Sequence, residues 1–310
     1  MEFPVFAKSI LPSNDSACRY SICTLVTNPS EYTEMVESFV KAGFQPEFCE
    51  FLYCDNSRAN QLDAFGAYNE FLNSARGKYI ILCHQDILLK YDGIDKLEEC
   101  IRDLDSKNPE WALMGNAGGM ANGQCALRIS HPDNQQNTGK FPEQVESLDE
   151  NFILVKSSVN LCLSHDLKGF HFYGTDICQV ARFLGLTAWV IDFHLFHKSE
   201  GNYDMHFIEG FRAISRKYGD ATRRDYIQTT CAMIPVGNSR WQWRCAIMNL
   251  LQKLKKQNDR SATAEMQNVL KQLMGRGNYV MHLILYKMAV PYFNLVRSVR
   301  KRWSAKGKTG

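Results

Sequence analysis

The sequence lacks the glycine-rich motifs that mark the commonest nucleotide-binding folds. It contains neither the G-x-G-x-x-G fingerprint of dinucleotide-binding proteins nor the G-x-x-x-x-G-K-[ST] phosphate loop. Its eleven cysteines are scattered singly and form no C-x-x-C pair. These absences exclude the usual signatures of a dehydrogenase, a P-loop NTPase, a zinc ribbon and a dithiol oxidoreductase. The cysteines are therefore expected to serve as small core residues.

Long apolar runs and strong charge are also absent. No stretch of roughly 18 residues is both apolar and uncharged, so we expect no membrane-spanning helix. The N-terminal segment MEFPVFAKSI has one lysine and no long apolar core, unlike a secretory signal. The formal net charge of +3 is too small to indicate nucleic acid as a partner. Together with the unpaired cysteines, these features predict a cytoplasmic protein.

The 310 residues do contain an alternation of short apolar strands and amphipathic helices. Hydrophobic residues make up 45% and charged residues 22%, which is ordinary for a globular protein of one or two domains. The alternation predicts an α/β fold, a mainly parallel sheet with right-handed crossovers and flanking helices. Predicted strands are 19–27, 47–54, 79–83, 111–115, 151–155, 158–163 and 187–193, and predicted helices are 31–42, 61–75, 94–104 and 173–184. Residues 116–147 are predicted to be loops with room for one hairpin.

The buried strand 79–83 ends abruptly in polar residues. His84, Gln85 and Asp86 stand at its carboxyl end, where open α/β sheets bind their ligands. His84 and Asp86 point to the same side of an extended segment, because side chains alternate. A carboxylate beside an imidazole suits a divalent metal that carries a diphosphate, so both residues are predicted as metal ligands. The alternative is that His84 contacts a phosphate oxygen, or that the strand simply turns polar as it reaches solvent.

The first two predicted strands end in polar residues at the same edge of the sheet. Strand 47–54 runs into Asp55 and Asn56, whose oxygens can accept hydrogen bonds from a nucleobase or ribose. Thr27 ends the first strand beside them. We therefore predict a nucleotide site at Thr27, Asp55 and Asn56, although an Asp-Asn pair after a strand is also a common turn.

The last predicted strand leads to a second histidine. His197 is followed by Lys198 and Ser199, which add phosphate-binding capacity. His194, three residues earlier, is the rival candidate. His197 is the predicted third metal ligand, and Lys198 is the predicted phosphate contact.

Four segments occur in an order that a known family shares. They are the strand ending in Asp55-Asn56, GKYIILCHQD at 77–86, LDENF at 148–152 and YGTDICQVARFLGLTAWVIDFHLFH at 173–197. Over residues 19 to 204 the chain resembles family 2-type glycosyltransferases with the GT-A fold, of the bacterial surface-polysaccharide type. The resemblance implies inverting transfer of a sugar from a nucleotide-sugar donor to a saccharide or lipid-linked acceptor, assisted by Mn²⁺ or Mg²⁺. An imidazole ligand at His84 favours Mn²⁺.

Two positions depart from the pattern of that family. His84 replaces the first acid of the D-x-D motif, and Tyr173-Gly174 replaces an acidic pair that supplies the catalytic base in many relatives. Asp176 keeps the Asp of that helix and is the predicted general base. A routine helix-capping role for Asp176 is the alternative. The other candidates for the base are His171, Asp149 and Glu150.

The C-terminal part of the sequence changes in character. We predict a catalytic domain at 1–235 and a helical, basic extension at 236–310. Predicted helices of the extension are 240–257, 264–274, 279–290 and 292–303. The last of these interleaves basic and aromatic residues, which indicates contact with an anionic membrane surface, at the inner face of the cell membrane. The alternative is that the helices pack on the catalytic domain and leave a solvated basic tail.

Two other functions compete with glycosyl transfer. A nucleotidyltransferase also holds metal with acids on an α/β sheet, but it needs a glycine-rich basic loop where residues 27–30 read TNPS. A non-catalytic homologue that binds carbohydrate or membrane is the other possibility, because His84 and Tyr173-Gly174 depart from the family pattern.

Overall fold

The computed structural model describes residues 18–199, 204–219 and 226–236, and single residues between 246 and 268. The chain divides into two compact units, Met1–Ala246 and Ile247–Gly310. The boundary expected between residues 235 and 236 stays a prediction.

The first unit alternates strands and helices over most of its length. In chain order the strands are β1 (Tyr20–Val26), β2 (Cys49–Asp55), β3 (Tyr79–Cys83), β4 (Ile87–Leu88), β5 (Trp111–Gly115), β6 (Ala117–Gly119), β7 (Cys125–His131), β8 (Asn134–Thr138), β9 (Glu143–Val145), β10 (Ser147–Leu148), β11 (Phe152–Lys156), β12 (Thr187–Val190), β13 (Leu195–His197), β14 (Tyr226–Gln228) and β15 (Met233–Pro235). The helices are α1 (Pro29–Lys41), α2 (Ala64–Ser74), α3 (Ile94–Lys107), α4 (Tyr173–Phe183) and α5 (Met205–Gly219).

The central sheet has the strand order β2-β1-β3-β11-β5-β12-β9. β1 pairs in parallel with β2 and β3, and β12 pairs in parallel with β5. β11 runs antiparallel between β3 and β5, and β9 is antiparallel to β12. The α/β class with a mainly parallel sheet is therefore confirmed, since β2, β1, β3, β5 and β12 run in one direction and only β11 and β9 are reversed. Because β11 is reversed, the residues before it meet the residues after β3, and His84 N donates to Asn151 O at 3.0 Å.

Helices α1 and α3 bury their apolar stripes in a common core with the central sheet. Met35 and Phe39 of α1 and Leu97 and Leu104 of α3 are fully buried there with Trp111 of β5. Truncating one such side chain to alanine typically costs about 2–5 kcal/mol, because a cavity remains. This core holds the strand ends that carry the polar residues.

Local chemistry sets where the first two helices begin. Asn28 caps α1 by accepting from Ser30 N at 3.1 Å, and Pro29 follows in the first turn. Asp63 caps α2 by accepting from Gly66 N at 2.8 Å, so this helix begins later than predicted. Gly43, at φ +103°, ends the α1 segment as the sequence indicated.

One predicted strand does not form. Residues 158–163 were expected to be extended, but Ser157–Val159 is a short 3-10 turn and Asn160 has φ +50°. The backbone of Leu163 then pairs with a side chain rather than a strand, since its N–H donates to Asn69 Oδ1 at 2.7 Å and its carbonyl accepts from Asn69 Nδ2 at 3.1 Å. A buried amide of α2 thus satisfies this segment.

A second sheet has the order β10-β6-β7-β13-β4, and β8 pairs with β7 at its side. Most of it lies in the segment 116–147, which the sequence predicted only as loops with room for a hairpin. The hairpin is β7–β8. β13 pairs with β4 in antiparallel register, His197 opposite Ile87. This pairing brings the end of β13 beside the turn that follows β3.

The β14–β15 hairpin lies against the second sheet. Ser147 Oγ donates to Gln228 O at 2.5 Å, and a Cβ added at Gly119 would lie 2.0 Å from the same carbonyl oxygen. Glycine is therefore required at this position for the hairpin to approach. The approach carries Thr230 to Asp149, where the hydroxyl donates to the carboxylate at 2.6 Å.

In the second unit the structure describes only a few residues. Residues 248–251 are helical, and Met248, Leu250 and Leu251 are buried. The predicted tail helices and their membrane contact fall almost wholly outside the described residues. Within the described part of the chain, no helix combines the length and the hydropathy needed to cross a bilayer.

Candidate metal centre and pocket

Three predicted metal ligands meet at one edge of the central sheet. His84 and Asp86 follow β3, and His197 ends β13; one nitrogen or oxygen atom of each lies within 4.8 Å of those of the other two. His197 Nε2 lies 3.2 Å and His84 Nδ1 lies 3.9 Å from Asp86 Oδ1. The rival His194 lies elsewhere, stacked on Tyr91 at 3.9 Å between ring centroids. Of the two histidines, only His197 joins this cluster.

The orientation of His84 is set by a tyrosine. The Tyr173 hydroxyl donates to Glu150 O at 3.1 Å and lies 3.0 Å from His84 Nε2. This network assigns the proton to His84 Nε2 and leaves the Nδ1 lone pair facing Asp86. Burial, reinforced by the neighbouring His197, lowers the pKa of His84 to about 4. The imidazole is therefore neutral at pH 7, the form that binds metals.

Asp86 is charged at neutral pH. Burial alone would raise its pKa, but the hydrogen bond and charge of His197 and the charge of His84 hold the pKa of Asp86 far below its usual range. The Asp86 carbonyl also accepts from Lys198 N at 3.0 Å, which fixes the backbone.

The donor set fits a divalent transition metal better than a purely oxygen-loving ion. It offers two imidazoles and one carboxylate, and imidazole suits Mn²⁺ better than Mg²⁺. The side chain of His84 is 36% exposed and that of His197 only 8%. The accessible side of the cluster is thus the His84 side, where a substrate oxygen can approach a bound ion.

Gln85, between the two ligands, is held by the turn after β1. Its Oε1 accepts from Thr27 N at 2.8 Å and from Asn28 N at 2.9 Å. Its Nε2 donates to Thr27 Oγ1 at 2.8 Å and faces Glu31 Oε2 at 3.4 Å. Gln85 therefore links the turn at Thr27, a predicted nucleotide contact, to the predicted metal ligands on either side of it. The sequence analysis did not identify this role.

The residues predicted to bind the nucleotide differ in how many hydrogen bonds their side chains already make within the protein. The amide of Asn56 is buried and holds the following loop through Gln61 N at 2.8 Å and Leu62 O at 2.8 Å. Asp55 is exposed and accepts from Ser57 N at 2.9 Å, a hydrogen bond that lowers the pKa of its carboxyl. Thr27 is engaged by Gln85, as described above, and Asp55 remains accessible to a ligand.

Lys198 points away from the cluster. Its ammonium group forms an ion pair with Glu34 of α1, so only its backbone contacts the metal edge. A phosphate contact by this lysine would require the pair with Glu34 to open, and its predicted role stays a prediction.

A pocket of about 470 Å³ adjoins the metal cluster. His84 and His197 lie at one side of it, and its lining includes Asp149, Glu150 and His171. The volume is in the range typical of small-molecule sites. Thus three of the four predicted candidates for the base share one cavity with two of the predicted metal ligands.

The two adjacent acids of this pocket differ in protonation. Burial and the charge of Asp149 raise the pKa of Glu150 to about 8. Burial alone would raise the pKa of Asp149. Hydrogen bonds from Thr230 and Asn151 and the charge of His197 outweigh burial, so the pKa of Asp149 is lowered. Glu150 therefore holds a proton near neutrality while Asp149 is ionised, the pattern of a proton-transfer group beside an electrostatic one.

The side chain of Glu150 lies next to the first turn of α4. Its Oε1 accepts from Gly174 N at 3.4 Å, and a Cβ at Gly174 would lie 2.4 Å from Leu148 O. A side chain larger than glycine therefore has no room at this position. Glu150 instead brings a carboxylate to the first turn of this helix.

Asp176 is fully buried and does not line the pocket. Its carboxylate accepts from Ser164 N at 2.7 Å, Ser164 Oγ at 2.7 Å and Tyr218 Oη at 2.5 Å. Burial raises its pKa, although these hydrogen bonds oppose the rise. This geometry favours the structural alternative to the predicted role as base.

His171 lines the pocket opposite the metal cluster. Its Nε2 lies 3.7 Å from Asp204 Oδ1, and burial lowers its pKa despite the charge of Asp204. It remains an alternative base, neutral at pH 7.

Sequence reasoning missed four residues that shape the site. Gln85 and Tyr173 orient the metal ligands, Thr230 contacts Asp149, and His131 lies beside His197 with 5.6 Å between ring centroids. Only Gln85 carried a local signal, because it stands between two predicted ligands. His131 is supplied by β7 of the second sheet, Thr230 by the β14–β15 hairpin and Tyr173 by the first turn of α4.

Comparison with solved structures finds only distant likenesses. S. aureus TarS aligns with a TM-score of 0.47 at 11% identity, over 85% of this chain and 49% of that chain. GalNAc-T7, solved with UDP, GalNAc and Mn²⁺, aligns with a TM-score of 0.43 at 9% identity, over 60% of this chain and 44% of that chain. This chain thus spans less than half of either protein. Scores below 0.5 carry no conclusion about activity.

Comparison of sequences finds a much nearer relative. No protein-family model matches the chain. A Fuscovulum blasticum protein named ATP synthase subunits region ORF 6 is 37% identical over 212 residues, which are 66% of this chain and 85% of that protein. That name states a genomic position and no reaction. With this identity over most of the relative, the chain belongs to the family of the F. blasticum ORF 6 protein.

Proposed function

We propose that the protein is a metal-assisted glycosyltransferase that moves a sugar from a nucleotide-sugar donor to a hydroxyl acceptor with inversion. The observation that carries the proposal is the meeting of His84, Asp86 and His197 beside a pocket that also holds Glu150. The motifs at 77–86, 148–152 and 173–197 resemble those of family 2-type glycosyltransferases and support it further.

The three ligands would hold Mn²⁺, which supplies a positive charge for the diphosphate of the donor. The turn at Thr27 and Asn28, held by Gln85, and the accessible Asp55 would receive the nucleoside at the same edge. The carboxyl ends of β1, β2 and β3 converge here, where open α/β sheets bind nucleotides.

Glu150 is the base that we propose. It lies in the pocket, its pKa is about 8, and a base with a pKa near the working pH transfers protons efficiently. The deprotonated carboxylate would take the proton of the acceptor hydroxyl as the hydroxyl oxygen attacks the sugar carbon, and the bond from that carbon to the diphosphate oxygen would break to release the nucleoside diphosphate. The ionised Asp149 beside it would stabilise the positive charge that develops on the sugar ring.

A titration with nucleotides tests the proposal. UDP, GDP, CDP, ADP and TDP would each be titrated into the protein by calorimetry, with Mn²⁺ and with EDTA. We expect one nucleoside diphosphate to bind in the presence of Mn²⁺ and to lose most of its affinity with EDTA. Equal binding with EDTA would refute metal assistance, and no binding of any nucleotide would refute the transferase. Release of free sugar from the matching nucleotide sugar distinguishes an enzyme from a binding protein.

A further inference from the structure

The pocket extends from the metal cluster along the β7–β8 hairpin. The register pairs His131 with Asn134, Ile129 with Gln136 and Leu127 with Thr138. Directly opposed residues of an antiparallel pair share a face, and alternate residues share it too. His131, Asn134, Ile129, Gln136 and Leu127 all line the pocket. One face of this hairpin is therefore a wall of the pocket.

The wall strand has an unusual composition. β8 reads NQQNT, five consecutive uncharged side chains that can form hydrogen bonds. β8 pairs only with β7, so it is an edge of the second sheet. Among the described residues, the side-chain amides of Asn134 and Gln136 make no hydrogen bond, and the buried Nδ1 of His131 has no partner. The amides of Asn134 and Gln136 are therefore available to a ligand in the pocket, whereas His131 Nδ1 is buried.

The lining also contains aromatic residues. Phe170 and Phe207 line the pocket, and the Phe207 ring centroid lies 5.4 Å from that of His171. A pyranose ring presents an apolar face to an aromatic ring and hydroxyl groups at its edge, so it suits a site that offers both aromatic residues and amides. The proposed base, Glu150, lines the same pocket.

The charge of the pocket selects the kind of ligand. Among the described residues, its lining contains no lysine or arginine, and Asp149 is an ionised acid within it. A uronic acid or a phosphate-bearing polymer would therefore find no lysine or arginine among the lining residues of the pocket. A neutral saccharide needs no cationic partner, because side-chain amides donate hydrogen bonds to its hydroxyl groups and accept hydrogen bonds from them.

We propose that the pocket face of the β7–β8 hairpin, with Asn134 and Gln136 as its specificity-determining residues, is the acceptor subsite and binds a neutral saccharide. This inference rests on the proposed function and adds to it the location and the chemical class of the acceptor. Transfer then joins the donor sugar to a hydroxyl oxygen of a neutral sugar, the bond from the donor sugar to the diphosphate breaks, the nucleoside diphosphate leaves and the hydroxyl proton passes to Glu150.

The alternation of the strand provides a matched control. Gln135 pairs with Ser130 and Asn137 pairs with Arg128, on the face away from the pocket. Asn134→Ala/Gln136→Ala and Gln135→Ala/Asn137→Ala remove the same two side-chain types from opposite faces of one strand. All four residues are exposed or half-buried, so both variants should fold, which thermal melts would verify.

The test uses a printed array of neutral, uronic-acid-bearing and phosphate-bearing oligosaccharides, probed with full-length protein plus Mn²⁺ and the nucleoside diphosphate that the calorimetric titration identifies. We expect binding to neutral glycans, weakened roughly tenfold or more in the pocket-facing variant and unchanged in the control variant. Binding of acidic glycans only, of no glycan, or equal binding by both variants would overturn the inference. Calorimetry with Mn²⁺ and the nucleotide panel separates the two levels. If a nucleotide binds but the expected glycan binding is not seen, only the acceptor site is rejected. If no nucleotide binds, the transferase itself is rejected.

Discussion

His197 Nε2 lies 3.2 Å from Asp86 Oδ1, although the two residues are 111 positions apart in the sequence. The antiparallel pairing of β13 with β4 brings them together. The metal cluster therefore joins the central sheet, which supplies His84 and Asp86, to the second sheet, which supplies His197.

Asp86→Asn should weaken Mn²⁺ binding while preserving the shape of the side chain. The change removes the anionic ligand. Loss of a group that only supports a ligand typically lowers metal affinity roughly 10–100-fold, so the loss of Mn²⁺ affinity here should be at least that large. Calorimetry and Mn²⁺ electron paramagnetic resonance would measure it. Asp133→Asn, at an exposed acid outside the cluster, is the control. Unchanged Mn²⁺ affinity in Asp86→Asn would mean that the cluster is not the metal site.

Glu150→Gln should reduce transfer by roughly 10²–10⁴-fold, the usual contribution of a general base. The amide keeps the size of the side chain but takes no proton, so the affinity for the nucleoside diphosphate should not change. Steady-state rates with an acceptor would measure the effect, and Glu110→Gln, on the surface, is the control. A variant with normal turnover would shift the role of base to His171.

The pH dependence should follow the same carboxyl group. Its pKa is raised to about 8, so wild-type transfer should increase as pH rises through about 8 and the base loses its proton. Between the ordinary pKa of 4.5 and about 8 the folded state keeps a proton that the unfolded state releases. The free energy of unfolding should therefore fall over that window as pH rises. Urea denaturation at pH 5 and pH 9 should show a smaller fall in the free energy of unfolding for Glu150→Gln than for wild type. An equal fall in both proteins would disprove the raised pKa of Glu150.

Asp176→Asn should destabilise the fold and leave specific activity intact. The amide cannot accept all three hydrogen bonds from Ser164 and Tyr218, and a buried unsatisfied donor costs about 1–3 kcal/mol. Chemical denaturation and turnover per folded molecule would be measured together. Normal stability with a large loss of turnover would instead support Asp176 as the base.

Gln85→Ala should weaken Mn²⁺ and nucleotide binding together, by roughly tenfold for the metal, because Gln85 orients its neighbours without touching the ion. Glu31→Gln/Gln85→Glu keeps the oxygen that accepts from Thr27 N and Asn28 N and should restore much of the affinity. A purely structural role would lower the melting temperature of Gln85→Ala without this rescue of metal affinity.

The sequence predicted the central sheet best where strands are buried on both faces. Tyr79–Cys83 and Trp111–Gly115 match their predicted bounds, because a short fully apolar run between polar turns leaves little choice. β8 could not be found in this way. Its five polar residues show no alternation with apolar ones, so only pairing with β7 identifies it as a strand.

The site was predicted where its signal is local. His84 and Asp86 follow a buried strand, and the histidine that ends β13 meets them in the structure. Asp176 shows the limit of this reasoning. An acid in the first turn of a helix gives the same pattern whether it caps, catalyses or supports the fold, and only the approach of Tyr218, from another helix, separates these cases.

The order of the cluster along the chain has a consequence for biosynthesis. His84 and Asp86 leave the ribosome well before β13, and their third partner arrives only when residue 197 has been synthesised. A nascent chain released before that point carries two of the three ligands and lacks the strand that pairs with β4. A chain truncated before residue 197 should therefore bind Mn²⁺ more weakly than the full-length protein, because it offers only two of the three proposed ligands.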